Sequence, residues 1–126
     1  MVNHEDILKE IEEHFKPLLE NSPDGIYFWL DDKNMICNEQ LAKMFGYSVK
    51  ELCAQTPFLE KMVAKDYREF FSLNFHLHVV QLLSPITFRF KGLKKGGKEF
   101  SAETDMIPFC WNNHIIAFHF VREIKE

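Results

Sequence analysis

The first pattern along the chain is helical. From Glu5 to about Glu20 the apolar residues Ile7, Leu8, Ile11, Phe15, Leu18 and Leu19 recur at spacings of three and four, with Glu10, Glu12, Glu13 and Lys16 on the other side. That is the stripe of an amphipathic helix, and the NSPDG segment ends it. The next stretch, GIYFWLDD, sets five large apolar side chains in an unbroken row between Gly25 and two aspartates. A half-buried strand alternates apolar and polar, so this one must be covered on both faces. A turn over DDKN follows, with Asn34 suited to a left-handed backbone, and residues 35 to 37 form a short second strand.

Helix signals then crowd together. Asn38 can cap a helix carrying Leu41, Met44 and Phe45; Ser48 and Glu51 have capping-box spacing; Thr56 followed by Pro57 starts another; Asp66 and Glu69 repeat the box. A longer helix from Asp66 to about Leu82 places Tyr67, Phe70, Phe71, Asn74, Phe75 and His78 on one stripe, with Ser72 and His76 opposite. The last third reads as a meander. Ile86, Phe88 and Phe90 alternate with Thr87, Arg89 and Lys91, KKGG turns the chain, and FSAETDMI alternates again. WNNH supplies an Asn-Asn hairpin turn, and residues 115 to 121 form a second nearly continuous apolar strand. The economical solution is one antiparallel sheet with the first and last strands side by side in the middle, the helical insert on one face and another cover on the other.

Composition narrows the function classes. Thirteen phenylalanines in 126 residues call for a single core of flat side chains. A formal charge of -4 with no basic run argues against nucleic acid or anionic lipid as the main partner. Cys37, Cys53 and Cys110 are widely spaced and without a Cys-x-x-Cys pair, and read as buried thiols in a reducing compartment. With no signal peptide or membrane span, the expected location is cytoplasmic, with no membrane contact by this segment. Ser101, Glu103 and Asp105 alternate onto one strand face, and neither a phosphate loop nor a Ser/His/Asp set can be assembled, so the chain is expected not to be an enzyme.

The segments LLENSPDGIYFWLDD, NEQLAKMFGYSVKEL and KKGGKEFSAETDMIP together resemble the PAS sensory domains, with Asn38, Gly46, Tyr47, Ser48, Glu51 and Leu52 as the strand-to-helix signature and Asp66 opening the long helix. The resemblance implies an α+β PAS-like fold. It has a five-stranded antiparallel sheet with adjacent first and fifth strands, a helical insert between strands 2 and 3, and here an N-terminal flanking helix (residues 1–21) before the domain (22–126). Two departures are Asn34 at the usual glycine of the first hairpin, and Glu123, Ile124 and Lys125 where an Asp-Ile-Thr triplet commonly ends such domains.

On the same resemblance Phe28, Leu30, Phe88, Phe90, Ala102, Thr104, Met106 and His119 face a cavity between sheet and helices, with Phe71, Phe75 and His78 across from them. Tyr27, Trp29, Ile116, Phe118 and Phe120 then face outward, an apolar surface that Ile11, Phe15, Leu19 and a partner subunit would cover. His78 lies on the helix from which haem-binding relatives take their proximal histidine; the alternative is a core histidine hydrogen-bonded to a carbonyl or to Asn74. His119 and Thr104 would read the polar end of a small ligand, against a filled cavity that binds none. AQTPFLEK replaces the Asn-Cys motif of photoactive flavin relatives, which leaves non-covalent flavin. The expected function is a non-catalytic, homodimeric signal-input domain that passes a ligand's state to a kinase or transcription regulator in cis or trans. The alternative is a PAS-type dimerisation or interaction module with no physiological ligand.

Overall fold

In the computed structural model, which describes residues 4–31, 34–54 and 58–125, the first helix is broken in two. Helix α1 spans His4–His14 and α2 spans Lys16–Asn21, with Phe15 between them at φ -99 and ψ 11. The single helix expected from the periodicity is interrupted because Pro17, in the first turn of α2, has no N–H to continue the ladder. The apolar stripe survives the break: Ile7 and Ile11 are fully buried, and Phe15 and Leu19 pack beside them.

Strands β1 (Gly25–Asp31), β2 (Asn34–Cys37), β3 (Ile86–Leu93), β4 (Glu99–Trp111) and β5 (His114–Glu123) form one sheet in the order β2-β1-β5-β4-β3. All pairings are antiparallel. The first and last strands are neighbours inside the sheet, as their apolarity required. Asn34 is a strand residue opposite Asp31 and is not left-handed, and residues 32 and 33 of that turn lie outside the described residues. In the last hairpin Asn112 and Asn113 both take positive φ, 48° and 67°, the backbone that a two-residue turn between right-twisted strands demands. Strand β4 runs past its expected end through Pro108. This costs little, because β3 reaches only to Met106 and β4 is an edge beyond it.

The register overturns one expectation. Tyr27 lies opposite His119 and Phe28 opposite Phe118, and residues directly opposite each other share a face. Tyr27 and Trp29 therefore stand with His119 on the side of the helical insert, while Phe28 and Leu30 join Ile116, Phe118 and Phe120 under α1 and α2. Placing Phe28 and Leu30 inward was a one-residue slip, which flips every side chain of a strand.

The insert comprises α3 (Glu39–Phe45), α4 (Val49–Cys53), α5 (Phe58–Met62) and α6 (Lys65–Asn74), the last continuing as a π-helical segment, Phe75–Gln81. Buried Asn38 joins it to the sheet. Its Oδ1 accepts from the N–H groups of Ile26 (2.9 Å) and Leu41 (3.0 Å), and its Nδ2 donates to the Asp24 carbonyl at 3.1 Å. Ser48 and Glu51 form the expected capping box. Asp66 and Glu69 do not: the cap is Ala64 without a side-chain bond, and Asp66 sits in the first turn where its charge suits the helix dipole. Thr56 and Pro57 lie outside the described residues.

Candidate functional site

A cleft of ≈ 300 Å³ lies between the sheet and the insert. The sheet contributes Tyr27, Trp29 and His119; α5 contributes Phe58 and Leu59; α6 and its π-helical continuation contribute Phe71, Ser72, Phe75 and His76. Aromatic rings define its walls. Trp29 meets Phe75 edge to face with ring centroids 5.0 Å apart, and Tyr27 lies 4.8 Å from Phe58.

His119 is the buried histidine of the sheet side. Its ring stacks on Tyr27 at 3.9 Å with 7° between planes, and lies 6.0 Å from Phe71 at 17°. Nδ1 is 3.3 Å from the Ala117 carbonyl. A carbonyl only accepts, so Nδ1 carries the hydrogen and Nε2 of the neutral ring keeps its lone pair. That Nε2 is buried and has no hydrogen-bond partner among the described residues. Burial holds the pKa down to about 3, opposed by the bond to Ala117, so the ring is uncharged at neutral pH. Burial likewise raises the Tyr27 phenol well above its ordinary value. The cleft thus has flat apolar walls, and His119 in one of them holds a buried acceptor without a partner among the described residues.

The structure brings together Phe71, Phe75 and His119 of the predicted pocket residues. Phe88 and Phe90 face the same side but are consumed in packing, edge-on to Phe71 at 5.1 and 5.2 Å. Thr104 is fully buried with its hydroxyl 3.4 Å from the Asp105 carbonyl, away from the cleft lining. Phe28 and Leu30 are on the other face of the sheet. His78 is half-buried with Nδ1 3.5 Å from the Ser84 hydroxyl and does not line the cleft, whereas Ser72 and His76, expected on the far side of the helix, do. The π-helical winding from Phe75 shifts the phase of every position after Asn74 against a 3.6-residue repeat. Phe70, placed on the inner stripe by the same repeat, is 46% exposed.

Tyr27, Trp29, Phe58 and Leu59 were not anticipated on this wall. The signal for the first two was present: with His119 inward, antiparallel pairing forces its partner on β1 inward as well. On the opposite sheet face Phe15 packs against Phe28 (5.3 Å), Phe109 (5.5 Å) and Phe118 (6.2 Å). Ile11, Phe15 and Leu19 thus cover Ile116, Phe118 and Phe120 within one chain.

Comparison with known proteins bears on this geometry. A family model described as the PAS fold matches residues 13–124. The chain belongs to the PAS family. Its fold is similar to that of a PAS domain from a two-component sensor histidine kinase, with 20% identity, a TM-score of 0.69, and coverage of 92% of this chain and 99% of that one. It is similar to the PAS domain of an HTR-like protein from Haloarcula marismortui at 20% identity and TM-score 0.69, covering 93% and 94%. It is also similar to the PAS domain, in complex with ethanol, of a LuxR-family transcriptional regulator from Burkholderia thailandensis, at 15% identity and TM-score 0.67, covering 87% and 96%. No curated protein matches the chain. Among the described residues of this PAS domain no helix is long and apolar enough to cross a membrane.

The residues do not fit haem held by His78, because an axial ligand must present a nitrogen to the cavity and His78 is not among the residues lining the cleft. A flavin nucleotide would find aromatic walls but no lysine or arginine among the lining residues to meet its phosphate.

Proposed function

We propose that this PAS domain is a non-catalytic sensory module whose cleft takes a small, flat, largely apolar molecule carrying one hydrogen-bond donor. The observation that carries this reading is the unpaired Nε2 of His119. A buried acceptor left without a partner costs about 1–3 kcal/mol, and a ligand N–H or O–H would recover that while its body stacks among Tyr27, Trp29 and Phe75. Ligand occupancy would then bias the packing of the N-terminal helices and of a partner subunit, and so inform a kinase or transcription-regulatory output.

The test uses indole and benzothiophene, bicyclic rings of similar shape with and without an N–H. Indole is expected to raise the melting temperature of the protein more than benzothiophene does, and the advantage disappears in His119→Leu. Equal effects of the two probes, together with native mass spectra showing no small molecule carried through purification, refute the reading.

A second reading, a PAS interaction module without a ligand, is favoured by a different observation. Phe70, Leu73, Leu77 and Val80 are 46%, 64%, 41% and 49% exposed along one face of α6 and its continuation, and Leu82 and Leu83 extend this surface. If that face pairs two copies, Leu73→Lys with Leu77→Lys yields monomer in light scattering while the parent is a dimer.

A further inference from the structure

We propose that Cys37 and Cys53 form a dithiol redox site that a hydroperoxide converts to an intramolecular disulfide and an external dithiol, itself oxidised to a disulfide, converts back. The two sulfurs are 3.6 Å apart, although the residues are separated by 16 positions and lie at the ends of β2 and α4. Both are free thiols, Cys37 buried and Cys53 partly exposed. Forming the bond requires the sulfurs to approach by about 1.5 Å, from contact to the ~2.05 Å of a disulfide. Both cysteines terminate their elements, which limits the backbone that must follow.

The environment separates the roles of the two thiols. Either sulfur can donate the hydrogen of this contact; the bond and burial raise Cys37, whereas the bond lowers Cys53 against its own burial. Cys53 is therefore the sulfur that reaches the thiolate first, and it is also the more exposed one. Glu12 of α1 opposes the thiolate at both positions. A second cavity of ≈ 480 Å³, between α1–α2 and α3, is lined by Cys37 and Glu12 and gives the pair a route to solvent.

The oxidation closes with the hydroperoxide as its one co-reactant. The Cys53 thiolate attacks the peroxide, an S–O bond forms as the O–O bond breaks, and the alkoxide leaves as an alcohol with the proton first lost by the thiol. Cys37 then attacks the sulfenic acid. The S–S bond forms, the S–O bond breaks, and hydroxide departs as water with the Cys37 proton. Two thiols and one hydroperoxide give one disulfide, one alcohol and one water.

The position makes oxidation consequential. Cys37 lies directly opposite Tyr27, whose ring stacks on His119 in the cleft, and it borders α1 through Glu12. A cross-link to Cys53 would tie edge strand β2 to α4 at the point where cleft, sheet and N-terminal helix meet.

The experiment uses the 126-residue chain carrying Cys110→Ser, which removes the exposed thiol that would link separate molecules. After treatment with tert-butyl hydroperoxide, both remaining thiols should escape maleimide labelling. The intact mass should fall by two hydrogens, non-reducing peptide mapping should show Cys37 joined to Cys53, and dithiothreitol should restore both thiols. In Cys37→Ser, Cys53 should instead stop at a sulfenic acid that dimedone captures. Persistence of both thiols at peroxide levels that convert free cysteine overturns the proposal, as does a Cys53 sulfinic acid formed with Cys37 still reduced. Mapping needs only the folded parent, so a poorly folding variant does not spare the proposal.

Discussion

His119→Leu tests the state of the imidazole through the pH dependence of stability. In the folded protein its pKa is about 3 against an ordinary 6.5, because burial penalises the charged ring. The unfolded chain binds a proton near 6.5 and the folded one refuses it until about 3, so stability is full above the upper value and falls as pH drops toward the lower. At about pH 5 the unfolded ring is almost fully protonated and the folded ring almost not at all. The resulting loss is about 2 kcal/mol relative to pH 8, from 1.36 kcal/mol per pKa unit over about 1.5 units. Leucine has similar bulk and no proton to take up. At about pH 8 the variant should differ little from the parent, since losing the bond to Ala117 and losing the orphaned Nε2 act in opposite senses. Urea unfolding of both proteins at each pH gives the difference of differences, from which all other titrating groups cancel. The parent should lose about 2 kcal/mol more than the variant between the two conditions. Equal losses would mean that the ring is charged or solvated in the fold, and the neutral-acceptor reading of the cleft would fail with it.

Four further outcomes follow from particular contacts. Asn38→Ala strands the N–H groups of Ile26 and Leu41 and removes the bond to the Asp24 carbonyl, and should cost about 2–4 kcal/mol in urea unfolding. Gly92→Ala places a methyl 2.7 Å from the Phe100 ring and 3.2 Å from Phe45, so melting should report a loss of about 1–3 kcal/mol from overpacking. Arg122 bonds Asp24, Glu103 and Asp105 at 3.0 to 3.2 Å and holds the Asp105 carboxyl below its usual pKa; Arg122→Met should cost about 1 kcal/mol at low salt and flatten the stability lost as pH falls through the carboxylate range. Deleting residues 1–21 uncovers Ile26, Phe28, Ile116 and Phe118, and light scattering should then show association, whereas a soluble monomer would contradict the covering role of α1.

Apolar runs made the architecture legible. GIYFWL and IIAFHFV are continuous because β1 and β5 lie inside the sheet with helices over both faces. The last hairpin was equally readable, since Asn112 and Asn113 tolerate the positive φ that it needs, whereas the left-handed backbone expected at Asn34 is absent. Facing was not readable in β1, because a strand apolar at every position carries no alternation to set its phase. Only pairing with the partly polar β5 settles it, through Tyr27 opposite His119. The long helix failed for a related reason. Its periodicity already misplaces Phe70 and Ser72, and the π-helical segment from Phe75 changes the angle between successive residues, which exchanged His78 for His76 at the cleft. The proximity of Cys37 and Cys53 depends on how α4 returns to β2, and no local pattern encodes that.

The alternation that hid the facing of β1 is also what links the two sides of the sheet. Tyr27 and His119 stack on the cleft side, and their chain neighbours Phe28 and Phe118 touch at 4.2 Å on the other side, where Phe15 rests on both. On the proposed reading, a ligand that displaces the Tyr27–His119 stack acts on Phe15 through two adjacent, paired backbones. The magnitude limits what can move. A ligand favouring one packing a hundredfold supplies about 2.7 kcal/mol, whereas lifting the fully buried Ile7 and Ile11 out of their sites costs about 3–6 kcal/mol. Ligand binding therefore leaves α1 docked. Helix α2 buries no residue completely and is anchored by partly exposed Phe15 and Leu19, so the responsive element is the break at Phe15 and the turn of helix that follows it.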